Sequence, residues 1–151
     1  MTCYKVLFRD GNKLVSGYGG KQEWTPGQRI SVKGDLVPCR NGVHICRDEL
    51  DLLHWLGEVI CPVVSASKEG IDSENKRTVR WAVIGEPNPY WNENASRKFA
   101  ADCGKGSPPW EAIWARSYAS ATSAAALAMQ RGTPLQEIIA NLVTYLDGSA
   151  P

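Results

Sequence analysis

With 17 Lys and Arg against 16 Asp and Glu, the 151-residue chain carries a net charge of +1 and has no global field to hold a polyanion or an anionic membrane. Its 43% hydrophobic and 22% charged content is that of a globular chain, long enough to bury a core. No apolar run approaches the roughly 20 residues that span a bilayer, and MTCYKVLFRD lacks the apolar stretch of a signal peptide. The expectation is a cytoplasmic protein without membrane attachment. Five cysteines, an odd number with no paired spacing, fit reduced thiols better than a disulfide framework.

In chain order, Cys3 to Phe8 reads as a strand, turned at Asp10-Gly11-Asn12 toward a hairpin partner at Lys13 to Ser16. Gly17 to Gly20 is a loop without the strand-to-helix context of a phosphate-binding motif. Trp24 to Gln28 is a turn around Pro26-Gly27, Arg29 to Val32 a short strand, and Lys33-Gly34-Asp35 another turn.

The stretch from Pro38 to Gly57 is the densest in unusual residues, with both histidines and two cysteines. After the Asn41-Gly42 turn, Val43 to Cys46 alternates as a strand with His44 and Cys46 on one face. Asp48 caps a helix carrying Leu52, Leu53 and Leu56, which Gly57 closes.

Glu58 to Ala66 is a β-branched run in which Pro62 calls for an edge or a bulge. Lys76 to Gly85 gives the clearest alternation, with Val79, Trp81 and Val83 on one face. Beyond Glu86 the Pro87-Asn88-Pro89 segment leaves the sheet, Ala95 to Cys103 is a short helix ended by Gly104, and residues 104–109 make the best linker.

Trp110 to Arg131 then reads as a helix with Ala121, Ala125 and Ala128 in its apolar stripe, stopped by Gly132. Thr133 as cap and Pro134 at the first helical position start a last helix that buries Leu135, Ile138, Ile139, Leu142 and Leu146. The expected architecture is α+β. It comprises a strand-rich core of residues 1–86, a crossover and linker of 87–109, and an antiparallel helical hairpin of 110–151 packed on or beside the core.

Three chemistries suit the residues to different degrees. Cys39, His44 and Cys46 are spaced C-x4-H-x-C, which lacks the paired spacing of structural zinc sites, so no metal is expected. Cys46 and His44 stand side by side on a strand, where a nucleophile and its base are not brought face to face by sequence alone.

The third chemistry enters by resemblance. Leu36, Cys39, Gly42-Val43-His44-Ile45-Cys46, Trp55-Leu56 and Lys76 resemble the pattern of a group of short actinobacterial and phage proteins, which brings no activity with it. More distantly, Gly42 to Asp48 resembles the aromatic-bearing strand of ADP-ribosyltransferase-like domains. That resemblance implies NAD as cofactor. It places His44 in the aromatic slot against the nicotinamide, Glu74 as the carboxylate polarising the reacting ribose, and Tyr4 or Arg9 as the anchor of the far ribose. Cleavage of NAD builds positive charge on the ribose, which a carboxylate stabilises.

The plainer reading gives His44 a structural hydrogen bond, leaves Glu74 and Arg9 as solvated charges, and puts the tryptophans in the core. Two functions therefore stand as expectations. One is a small NAD-binding transferase acting on a nucleic-acid or protein acceptor, with nucleic acid as substrate only. The other is a non-enzymatic phage or bacterial accessory protein engaging a protein partner, or itself, through the C-terminal helices.

Overall fold

The computed structural model describes residues 2–17, 22–105 and 119–151, with no side-chain description at 119 and 120. The strands are β1 Cys3–Asp10, β2 Lys13–Val15, β3 Glu23–Trp24, β4 Arg29–Ser31, β5 Val43–Ile45, β6 Val59–Ala66, β7 Gly70–Asp72, β8 Arg77–Val79 and β9 Trp81–Ile84. The helices are α1 Glu49–Leu53, α2 Glu93–Cys103, α3 Ala119–Gln130 and α4 Leu135–Asp147. The fold is α+β, strand-rich first and helical last.

All strand pairs are antiparallel, and together they nearly close a barrel. β1 pairs with β6, and β6 with β9. Across Arg80 the chain of β9 continues back into β8, which pairs with β5. The ring then returns to its start, because Tyr4 and Cys46 exchange two backbone hydrogen bonds of 2.8 Å. β2 and β3 extend β1 on one side, β4 lies along β9, and β7 along β8.

Local chemistry explains the turns. Gly11 and Gly27 take the left-handed backbone their turns need, at φ 63° and 84°. Gly42, at φ 154°, passes so close to Thr78 that any side chain would collide with the threonine methyl.

Two cores result. The barrel interior holds Leu7, Leu14, Trp24, Val43, Ile45, Val59, Cys61, Val79, Ala82 and Ile84. The second lies between the sheet's outer face and the helices, where Tyr4, Cys46 and Ile60 meet Leu52, Leu53, Phe99, Ala121, Ala125, Ala128, Ile138, Leu142 and Tyr145. Phe99 is its hub, with edge-on contacts to Trp91 at 6.3 Å and Tyr145 at 6.1 Å. The polar tips of two of its aromatic rings are satisfied: Trp91 Nε1 donates to the Gly57 carbonyl at 2.9 Å, and the Tyr145 hydroxyl donates to Asp102 at 2.6 Å.

Several expectations are refined. Asp48 caps α1 by accepting from the Asp51 N–H at 2.9 Å, but the helix ends at Leu53 with His54 as its C-cap, ahead of Gly57. The strand expected from Lys76 to Gly85 breaks phase at Arg80. Val79 faces the barrel interior, yet beyond the break Ala82 and Ile84 do so in place of Trp81 and Val83. Arg29 then covers the outward Trp81 ring, 3.6 Å from its centroid.

Pro62 is not at an edge, since β6 is flanked on both sides. It stands beside a register shift between Val63 and Ser65, so the bulge reading holds. α2 begins two residues earlier than expected because Asn92 caps it, accepting from the Ala95 N–H. At the last helix Pro134 takes the cap position without a side-chain cap bond, one residue after Thr133.

The break between α3 and α4 falls at Gly132, φ 92°, as expected. Ala121, Ala125 and Ala128 are buried, and α3 packs mainly along α2, while α4 packs on α1 and α2. The first turns of the helix expected from Trp110, and most of the 104–109 linker, lie outside the described residues.

Candidate functional site

β5 decides how the central histidine is displayed. Val43 and Ile45 enter the barrel, so His44 and Cys46 face outward. His44 Nε2 accepts the backbone N–H of Cys39 at 3.0 Å. Burial pushes the imidazole down to about 4, with Lys76 and Lys5 adding repulsion. It is therefore neutral at pH 7 and, with Nε2 accepting, carries its proton on Nδ1. Cys39 is exposed and holds a left-handed backbone, φ 67°, rare for a residue with a side chain.

Lys76 brings its Nζ to 2.8 Å from Cys39 Sγ and 5.4 Å from the centre of the Trp55 ring. Trp55 is itself fixed, donating from Nε1 to the Asn75 carbonyl at 2.9 Å. A second lysine approaches from inside. Lys5 alternates with Cys3 and Leu7, so it points into the barrel, where Nζ donates to the His44 carbonyl at 2.7 Å and lies 5.4 Å from the Trp24 ring centre. Burial lowers Lys5 to about 8, with Cys46 opposing that shift and Lys76 adding to it.

An ionic network adjoins this rim. Arg47 grips the buried Asp51 with Nε at 2.6 Å and a terminal nitrogen at 2.9 Å, while its backbone N–H reaches the same carboxylate at 2.9 Å. Burial alone would raise the Asp51 carboxyl, but the hydrogen bonds and charge of Arg47 together hold it below the ordinary range. Arg47 also donates to the Glu74 carbonyl at 3.1 Å and lies 3.6 Å from Asp72, which Arg77 binds at 2.8 Å.

The four residues singled out by resemblance are distributed unequally. Glu74 sits in the turn between β7 and β8, closed by the Ser73 N–H on the Lys76 carbonyl. β5 pairs with β8 so that His44 stands opposite Thr78, four residues beyond Glu74, and the Glu74 carbonyl meets Arg47, three residues after His44. The Glu74 carboxylate is exposed and makes no ion pair among the described residues.

Tyr4 is buried on the helix side. Its hydroxyl donates to Glu49 at 3.1 Å and is pushed up to about 12, by burial first and by Glu49 second. It borders a cleft of about 340 Å³ shared with Glu86, Asn88, Leu146 and Asp147. Arg9 is exposed near the far end of β1, about 16 Å along the strand from Tyr4. It borders a different cleft, of about 470 Å³, with Asn12, Trp24 and Pro87.

Cys46 is a poor nucleophile. Burial, with Asp51 second, pushes its thiol up to about 12, so the thiolate is scarce at neutral pH. Among the described residues no group of three or more His, Cys, Asp or Glu stands where it can hold a metal ion.

Lys5 and the Arg47–Asp51 pair had no role in the reading of the sequence. The pair carried a usable signal, an Arg four residues before an Asp at a helix start. Lys5 carried another, as a charge inside an otherwise apolar strand. The chain matches no protein-family model, no curated protein and no solved structure.

Proposed function

We propose that the chain is a small NAD-binding, ADP-ribosyltransferase-like domain whose reacting end is the rim bearing His44 and Glu74. The observation that supports this reading is the pairing of β5 with β8. It sets the neutral His44 against Thr78, on the strand that the Glu74 turn leads into, thirty residues further along the chain. On this reading Glu74 stabilises charge developing on the ribose, His44 lies against the nicotinamide, and the cationic side of the rim accompanies the phosphates.

The test is a thermal-shift titration with NAD followed by NAD-consumption assays. The chain should melt higher in millimolar NAD. Glu74→Gln should keep that shift while losing on the order of 10²-fold or more in turnover. Absence of any shift, or unchanged turnover in Glu74→Gln, would refute the proposal. The separation of Arg9 from the rim favours a second reading, a non-enzymatic accessory protein that engages a protein partner, or a second copy, through its C-terminal helices.

A further inference from the structure

Of the side-chain hydrogen bonds that involve sulfur among the described residues, the shortest joins Lys76 to Cys39. Sulfur is larger than oxygen, so an N–H···S contact is ordinarily longer than the roughly 2.9 Å typical of N–H···O. Here the separation is 2.8 Å, against 3.6 Å for the contact of Cys3 Sγ with the Arg47 carbonyl. The two atoms come from segments 37 residues apart in the chain, and each is held by its own neighbours.

Cys39 is fixed by a left-handed backbone and by its N–H on His44; Lys76 is fixed by the closed turn and the Trp55 ring. Cys39 is also the exposed thiol of the five, the one an oxidant in solution reaches directly.

We infer that Cys39 and Lys76 form a reversible, oxidation-dependent covalent link in which a single oxygen atom joins Sγ to Nζ. The link ties the loop of residues 33–42 to the turn of residues 73–76 across His44, and it stands independently of NAD binding. The oxidant is dioxygen. The thiol gives up its hydrogen and the lysine, as its free amine, gives up one of its two. One oxygen atom enters the bridge and the other leaves as water, so four electrons pass from the sulfur–nitrogen pair to O₂. Two dithiol molecules supply four electrons and four protons to restore thiol and amine with release of a second water.

The experiment is mass spectrometry of the intact chain, purified in air and then treated with dithiothreitol. The expected result is a species heavier by one oxygen and lighter by two hydrogens, lost on reduction. Trypsin should release it as residues 34–40 joined to residues 69–77, with cleavage after Lys76 blocked. Cys39→Ser and Lys76→Arg should each abolish the species.

Three outcomes overturn the inference: no mass change in air, an oxygen on Cys39 without the hydrogen loss, or the same mass change persisting in Lys76→Arg. The peptide map of the unsubstituted chain decides the matter by itself, so a variant that folded poorly would not obscure it.

Discussion

The two cores of this molecule are built by opposite means. The barrel interior is sealed by the chain's own hydrogen-bonded ring and filled mostly with small and branched side chains around one tryptophan, Trp24. One charged lysine tip is tolerated there because the His44 carbonyl and the Trp24 ring receive it. The helix-side core has no ring to close it and depends on large aromatic side chains, Trp91, Phe99 and Tyr145, locked edge to face. The first core thus draws on backbone pairing and the second on side-chain volume, so the same kind of substitution should weigh differently on each.

The largest effect is expected at the aromatic hub. Phe99 is fully buried, and Phe99→Ala should destabilise by about 3–5 kcal/mol through lost burial and the cavity left behind. Ile84→Val, a smaller cut in the barrel interior, should cost about 0.5–1.5 kcal/mol. Urea unfolding of both variants measures the contrast. A loss at Phe99→Ala no larger than that at Ile84→Val would mean that the aromatic hub does not carry the helix-side core.

Between these lies the Arg47–Asp51 pair at the junction of the cores. Asp51→Ala leaves the Arg47 backbone N–H and guanidinium short of their acceptor and should cost about 2–3 kcal/mol. A carboxyl held below its unfolded value contributes stability that is full above that value, near pH 4. It is lost as pH falls through the lower folded value. Wild type should therefore lose stability as pH falls below about 4, while remaining at least as stable as Asp51→Ala, and the difference between the two should vanish at low pH.

A further effect separates the cores by pH in the alkaline range. Lys5 has a folded value of about 8, below its unfolded one, so the folded state releases its proton first. Its burial cost is full below pH 8 and is relieved as pH rises toward the unfolded value near 10.4. The stability of wild type relative to Lys5→Met should accordingly rise between these limits, and paired melting curves would show it. A flat difference would mean that Lys5 keeps its charge in the barrel.

Much of the local structure was legible in the sequence because its signals are local. Asp48 announces a helix start, Gly132 a stop, and Asp10-Gly11-Asn12 a hairpin, each through the bonding of its own few residues. The Arg80 phase break was not legible, since the alternation of residues 76–85 continues unbroken on paper and only pairing with two different partners imposes the kink.

The candidate site was legible in half. His44 stood out by its rarity and its strand position. Its partners did not: Cys39 meets Lys76, and the His44 carbonyl meets Lys5, only once a ring of strands has folded. Those contacts span 37 and 39 residues, distances over which side-chain type says nothing about proximity.

The pairing of β1 with β6 carries a consequence for how the chain reaches this state. β1 is made first, yet its long partner β6 begins more than fifty residues later, with register pairs such as Cys3↔Val63. Contacts of that span are slow, because the entropy of closing the loop is spent before any pairing rewards it. The hairpin of β6 and β7 against β8 and β9, joined by the short turn at residues 73–76, is local and forms ahead of it. On a ribosome adding roughly 5–20 residues per second, the edge of β1 therefore waits several seconds for its partner. A charge such as that of Lys5 in an unpaired strand opposes its pairing with another chain.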